Sequence, residues 1–449
     1  MIETIRNAWK IADLRKKILF TLFIVFIFRL GSAIPVPYLN LDALQATMDN
    51  IKDSGTILSY FNALSGGAFE NGTIFAMGIT PYINSSIIIQ LLTVAIPALE
   101  RLAKEGEEGR KKIAQITRYT TVGLGLLQGT AYWFFISRST ATLENGSVVN
   151  VAKYTEGFAQ VFAAIVIILA FTAGTALMMW LGEQINQKGI GNGISILLFA
   201  GILASAPSGI ATLYSYIKIA IEGGGEYTKY LYLVPLAIIV LLGMVVFIVF
   251  MDNAERKIPI QYAKRVVGRK MYGGQSTHMP IKVNMSGVLP VIFASSIISI
   301  PATIKMFAYG NTESTSFWYK FLSVFDADGW VYPILYFVLI LFFAYFYVSI
   351  QYNPIEMANN LRKNSGAIPG IRPGKPTSEY ISKIIFRITL IGALFLSVIA
   401  LLPIILQSVS GMQLAIGGTS ILIVVGVALE TVKQLESQML MRHYKGFLE

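Results

Sequence analysis

Long apolar windows recur along the chain near residues 18–36, 75–97, 119–137, 157–182, 194–213, 230–251, 287–307, 331–351, 384–406 and 412–431. Each is long enough to cross a hydrocarbon core of about 30 Å, so the pattern predicts about ten transmembrane helices. An even number puts both termini on one side. Five spans followed by five more make the second half enter from the opposite face, which predicts two inverted halves, residues 1–213 and 214–449. The second window is irregular. Pro81 suits a first helical turn, with Thr80 positioned to cap it, and Pro97 ends the run about 25 Å later, short of a full crossing. That helix is expected to begin inside the membrane. Non-helical backbone at such depth must be enclosed by protein or line a water-filled cavity, because lipid leaves N–H and C=O groups unsatisfied.

Composition agrees with a membrane protein: of 449 residues 54% are hydrophobic and 14% charged, and mean hydropathy is +0.61. Residues 1–17 are polar and amphipathic and the apolar run after them is long, so no cleavable signal is expected. Of the 36 Lys and Arg, 28 fall on the side of the termini, 7 on the other, and Arg29 within the first span. The positive-inside rule makes the side of the termini cytoplasmic. Most of that charge sits in residues 98–118, 252–286 and 352–383, which are too charged to be embedded and too rich in Gly and Pro for one long helix.

Candidate chemistry is sparse. An ion-coupled transporter needs an ionisable group in the hydrocarbon to bind and release the ion. Arg29 is the clear intramembrane charge, and the role expected of it is structural, satisfying carbonyls or a partner near the end of the first span. His278 and His443 lie in cytoplasmic segments, and the chain has no cysteine. No catalytic residue, metal site or cofactor is predicted, and the chain is not read as an enzyme. Gly189, Gly191 and Gly193 in KGIGNGIS lack the spacing of a phosphate loop and read as a tight, closely packed turn. The segment SYFNALSGGAFENGT, residues 59–73, is too short and polar to span. Phe61, Leu64 and Phe69 recur in it at roughly helical intervals, so it reads either as a short helix folded into the protein or as an amphipathic surface helix.

The runs GITPYINSSIIIQLLT, KEGEEGRKKIAQITRY, MWLGEQINQKGIGNGIS, QSTHMPIKVNMSGVLPVIFASS, NNLRKNSGAIPGIRPGKPT and GGTSILIVVG resemble, in order and across essentially the whole chain, the SecY family of protein-translocation channels. The polar runs exclude a likeness through hydrophobic composition alone, and the cytoplasmic loops look bacterial. The resemblance implies an all-α polytopic membrane protein with an hourglass pore between the inverted halves. Its waist is closed by a ring carried over to Ile79, Ile83, Leu198, Ile292 and Ile423, with Leu198 a departure from the Ile of many bacterial relatives. A narrow apolar constriction dewets and blocks ions, while its side chains part around a passing chain. From spacing alone, Ile79 and Ile83 share one face and read as lipid-facing or core.

The same resemblance makes Tyr60, Phe61, Asn62, Leu64, Gly66, Gly67 and Phe69 part of a plug near residues 60–73, and puts Gln128, Ser295 and Ser296 on the helices of a lateral gate. On their own, the serines read as bonding their own helix backbone. Arg269, Lys270 and Arg372, in loops near 252–286 and 352–383, are implied to dock a SecA-like motor ATPase or a ribosome; without the resemblance they read as solvated positive-inside charge. SecE-like and SecG-like small membrane subunits, signal sequences, unfolded polypeptide and the lipid bilayer complete the implied partners. The implied function is passage of unfolded secretory chains across a bacterial plasma membrane, with sideways release of apolar segments into lipid. Topology alone favours another reading, an inverted-repeat secondary transporter of a small solute, against which the scarce intramembrane charges and the basic loops weigh.

Overall fold

The computed structural model describes residues 2–52, 62, 65–142, 147–223, 228–262, 265–267, 270–272, 276–309, 316–326, 329–412 and 417–445. Helices α1 (Ile2–Lys10) and α2 (Ala12–Gly31) are separated by an extended Ile11. They are followed by α3 (Leu41–Lys52), α4 (Thr80–Ala95), α5 (Pro97–Lys104), α6 (Glu107–Arg138), α7 (Gly157–Lys188), α8 (Gly193–Gly223) and α9 (Tyr230–Asn253). The second part of the chain adds α10 (Leu289–Tyr309), α11 (Phe317–Ser323), α12 (Val331–Gln351), α13 (Pro354–Lys363), α14 (Lys375–Ser410) and α15 (Gly418–Lys445). Each of the ten apolar windows coincides with a helix: α2, α4, α6, α7, α8, α9, α10, α12, α14 and α15. Among the described residues six helices are long and apolar enough to cross a membrane, or seven if α4 and α5 count as one broken span. α2 carries Arg15, Lys16, Lys17 and Arg29, and the uncharged stretch of α6 is diluted by Thr, Gly, Gln and Tyr residues between 119 and 132, which keeps both out of that set.

The helices pair by one scheme used twice. In the first half α4 packs on α6, α6 on α7, α7 on α8, α2 on both α7 and α8, and α4 on α7. In the second half α9, α10, α12, α14 and α15, taken in that order, repeat the same pairings. The halves meet through α8 against α9 and α15, and on the other side through α10 against α4 and α6. α8 continues to Gly223, past the boundary expected at 213/214.

α4 is 16 residues, about 24 Å, and turns by 101° into α5 at Ile96 and Pro97. Its start departs from expectation in one respect: Ile79 occupies the N-cap position with no side-chain cap, Thr80 is the first helical residue, and Pro81 sits in the first turn where its missing N–H costs nothing. Residues 66–79 are irregular turns. They are enclosed by protein: Phe75 and Ala76 are each 2% exposed, and α7 lies so close that a Cβ on Gly174 would stand 2.0 Å from the carbonyl oxygen of Ile74.

The long basic segments between the apolar helices hold more regular structure than their composition indicates. Residues 107–118 begin α6, 354–363 form α13, and 375–383 begin α14, so polar turns extend apolar helices beyond the bilayer instead of leaving loops. Their Lys, Arg and Glu are good helix formers once solvated. Strands also appear. A hairpin of β1 (Thr140–Thr142) and β2 (Val148–Asn150) lies on the opposite face, and the 252–286 loop folds into β3 (Glu255–Tyr262), β4 (Arg265–Val267), β5 (Lys270–Tyr272) and β6 (Ser276–Lys282). β3 pairs antiparallel with β6 and, on its other edge, with β7 (Gly366–Ala367) from the 352–383 loop. Ile258, Ile281 and Ile368 bury one side of this sheet against Ile381 and Ile385 of α14.

Replacing Gly174 with Ala should push the irregular 74–79 backbone out of its seat, at a cost of about 1–3 kcal/mol. A lower melting midpoint in detergent is expected, while Gly243→Ala in α9, which meets no atom within 4 Å, should leave it unchanged.

Candidate pore, plug and docking loops

The five ring candidates lie in one apolar cluster drawn from both halves. Ile79, Ile83, Leu198 and Ile423 are buried within it and Ile292 packs against it. They come from the entry to α4, its first turn, α8, α10 and α15, so helices distant in sequence converge there. Spacing alone placed Ile79 and Ile83 on one face; that Leu198, Ile292 and Ile423 share their cluster is tertiary.

Next to the cluster, the plug candidates form a loop closed on itself. The Asn62 Nδ2 donates to Glu70 Oε2 at 2.6 Å, the Glu70 N–H returns a bond to Asn62 Oδ1 at 3.1 Å, and Gly67 N–H reaches the Asn62 carbonyl at 2.9 Å. Ser65 Oγ donates to the Asn62 carbonyl and accepts from the Phe69 N–H, both at 3.1 Å. Gly66 and Gly67 have φ of +67° and +84°, a left-handed backbone that only glycine adopts freely. Residues 66–72 are therefore turns, not part of a helix. Tyr60, Phe61 and Leu64 lie outside the described residues.

The loop is held from two sides. Arg29 Nη1 in α2 donates to the Gly66 carbonyl at 3.0 Å, and the fully buried Tyr132 hydroxyl in α6 donates to the Phe69 carbonyl at 3.0 Å, its ring 4.7 Å from that of Phe69. Arg29 thus satisfies a carbonyl, as its isolation predicts; which carbonyl no pattern in the sequence reveals. Tyr132 was missed, since a tyrosine in an apolar window carries no signal of its partner.

At the seam where α10 meets α4 and α6, Ser295 Oγ donates to the Ile292 carbonyl at 2.9 Å, and the Ser296 carbonyl accepts from Ser299 Oγ at 2.7 Å. The Ser295 hydroxyl thus bonds its own helix. Gln128 is half-buried on α6. A bridge across the seam comes from a residue outside the predicted set: Arg138 Nη1 reaches the Ala308 carbonyl at 3.4 Å, its guanidinium 5.9 Å from the Phe134 ring centre.

Of the docking candidates, Arg269 lies outside the described residues and Lys270 opens β5, opposite Val267. Arg372 is exposed on a loop built to present it. Gly370 and Gly374 have φ of +80° and +108°, the Ile371 N–H bonds the carbonyl of the buried Ile368 at 3.1 Å, and Thr377 Oγ1 donates to the Arg372 carbonyl at 2.8 Å. Through β7 this loop shares a sheet with the 252–286 loop, so the two predicted docking loops form one platform.

Two solved structures share this fold. The SecY channel whose plug domain is described as stabilising the closed state aligns over 95% of this chain and 92% of its own, with a TM-score of 0.62 and 17% identity. Sec61 in a canine ribosome–channel complex aligns over the same shares with a TM-score of 0.59 and 16% identity. The class is thereby defined: a multi-pass helical membrane protein with the fold of a protein-conducting channel. The SecY family profile matches residues 73–432, and the protein translocase subunit SecY of Streptomyces coelicolor is 46% identical over 455 residues, covering 100% of both chains. The chain belongs to the SecY family.

Proposed function

We propose that this chain is the passage subunit of a bacterial plasma-membrane translocon, with both termini cytoplasmic and its two inverted halves enclosing an hourglass pore. The observation that carries the reading is that Ile79, Ile83, Leu198 and Ile423 are buried in one apolar cluster drawn from both halves, with Ile292 packed against it. Branched aliphatic side chains at a narrow waist exclude water, so ions meet a dry barrier, and their rotamers yield to a polypeptide threaded through. Lateral release uses the seam where α10 meets α4 and α6: an apolar segment in the pore exchanges helix contacts for lipid there, whereas a polar one stays in the aqueous path. The chain carries passage and not power. A SecA-like motor or a translating ribosome supplies it at the platform of β3, β6 and β7, and SecE-like and SecG-like subunits brace the channel. A solute transporter is disfavoured because the charge within the first span, Arg29, is engaged with the Gly66 carbonyl.

A secretory chain stalled in transit should crosslink to photoreactive groups at positions 83 and 292, and a cytosolic chain should not; absence of that contact would remove these residues from the path. Replacing Ile83 and Ile292 together with Ser should wet the waist and raise the ion conductance of resting, reconstituted channels.

Arg372 separates electrostatics from geometry. If it serves only positive-inside topology, Lys substitutes freely and Ala costs little. Docking through the planar guanidinium predicts that Arg372→Lys weakens partner binding and Arg372→Glu abolishes it, with a loss of at least about 30-fold in affinity. Insertion and thermal stability should be unchanged in both, because the side chain is exposed. Partner affinity measured on proteoliposomes checks this.

A further inference from the structure

The plug candidate is held by two side chains of unequal burial, and that inequality has a mechanical meaning. Gly66 occupies a slot: a Cβ there would stand 3.1 Å from Arg29 Nη1, 3.0 Å from the Gly201 carbonyl oxygen and 3.1 Å from the Gly201 Cα. One wall of the slot is the Arg29 guanidinium of α2, the other the backbone of α8. Leu198, a ring candidate, lies one turn before Gly201 on the same helix, so both fall on one face and move together. At the other end of the loop, the Tyr132 hydroxyl and ring hold Phe69 in a dry cluster with Phe135 and Phe171. Arg29 is exposed and Tyr132 is not.

We infer that Arg29 is the catch of the plug and Tyr132 its pivot. Displacement of α8 as the waist widens carries Gly201 away from Gly66, opens the slot and breaks the Arg29–Gly66 bond. The loop then swings about Phe69, whose bond to Tyr132 is shielded from water. The catch grips a backbone carbonyl, so its hold is independent of the side chains of the loop, and a cation supplies the donor because charged donors make the stronger bonds. This inference rests on reading residues 60–73 as the plug.

The test uses the assembled channel complex in planar bilayers, with three variants: Arg29→Leu, Arg29→Lys, and deletion of residues 62–71. Arg29→Leu should shift the closed-to-open ratio by roughly tenfold or more and raise resting conductance toward that of the deletion, with Arg29→Lys intermediate because an ammonium still donates. Gly66→Ala, which keeps Arg29 and fills the slot, should leak as well. Because the chain has no cysteine, Ser65→Cys gives a second readout. Ser65 is 2% exposed, so membrane-impermeant maleimide should label this position slowly in the otherwise native channel and at least about tenfold faster when Arg29 is Leu. A leaky deletion beside a tight, slowly labelled Arg29→Leu variant overturns the catch and leaves the plug reading standing. A tight deletion variant overturns both.

Discussion

Backbone hydrogen bonding in a medium without water governs the whole arrangement. Residues 66–79 are not helical, yet they lie among membrane helices, where each unpaired N–H or C=O costs several kcal/mol. The chain meets this demand with protein donors and acceptors. The stretch after the loop runs beside residues 34–36, with Val36 N–H on the Gly72 carbonyl at 2.9 Å and Ile74 N–H on the Ile34 carbonyl at 3.1 Å. Thr73 Oγ1 reaches the Ala68 carbonyl at 3.2 Å, and Arg29 and Tyr132 take two more carbonyls. Gly174 lets α7 approach closely enough to shut lipid out. Once that irregular core is sealed, α4 can begin among the membrane helices with Ile79 and Ile83 buried in the apolar cluster drawn from both halves.

Much of this was legible in the chain. Each apolar window fell on a helix because a bilayer selects long apolar runs, although among the described residues only six of the helices, or seven with α4 and α5 taken together, are long and apolar enough to cross a membrane. Pro81 and Pro97 marked the short α4 because proline acts locally, through a missing donor and a fixed φ. What was lost depends on partners far away in sequence. Thr80 looked like a cap, but Ile79 holds that position because the preceding backbone is shaped by its burial against α2 and α7. The β3–β6 hairpin alternates charged and apolar residues weakly, Arg256 and Lys257 against Ile258 and Ile260, and Pro259 within it argues against a strand. Its third strand, β7, is two residues long and carries no pattern at all. The ring candidates came only from resemblance: aliphatic residues at a waist and in a lipid-facing turn are chemically alike, and spacing does not tell them apart.

The same distinction explains the polar residues. A serine or threonine in an apolar helix bonds its own backbone in most cases here: Thr121, Thr172, Ser299 and Thr389 each reach a carbonyl three or four residues back. Such residues relieve their own desolvation and leave little energy for interhelical contacts. Long donors behave differently. Arg29, Tyr132 and Arg138 reach across to backbone carbonyls of other elements, and they mark the places where the helix bundle is interrupted or divided.

The pairing of β3 with β6 and β7 has a mechanical consequence. The sheet ties the end of α9 to the segment before α14 and rests on α14, the 36-residue helix that runs through the second half. The route to α10 is different in kind. Val283 N–H bonds the Ala254 carbonyl at 2.9 Å, but four residues on, Gly287 adopts φ +62° with no atom within 4 Å of its missing side chain. On the proposed reading, load placed on the platform passes to a long strut, while the seam helix is joined through a glycine free to turn. Driving a polypeptide through the pore and letting a segment out sideways are then separable demands on one molecule, met by different levers.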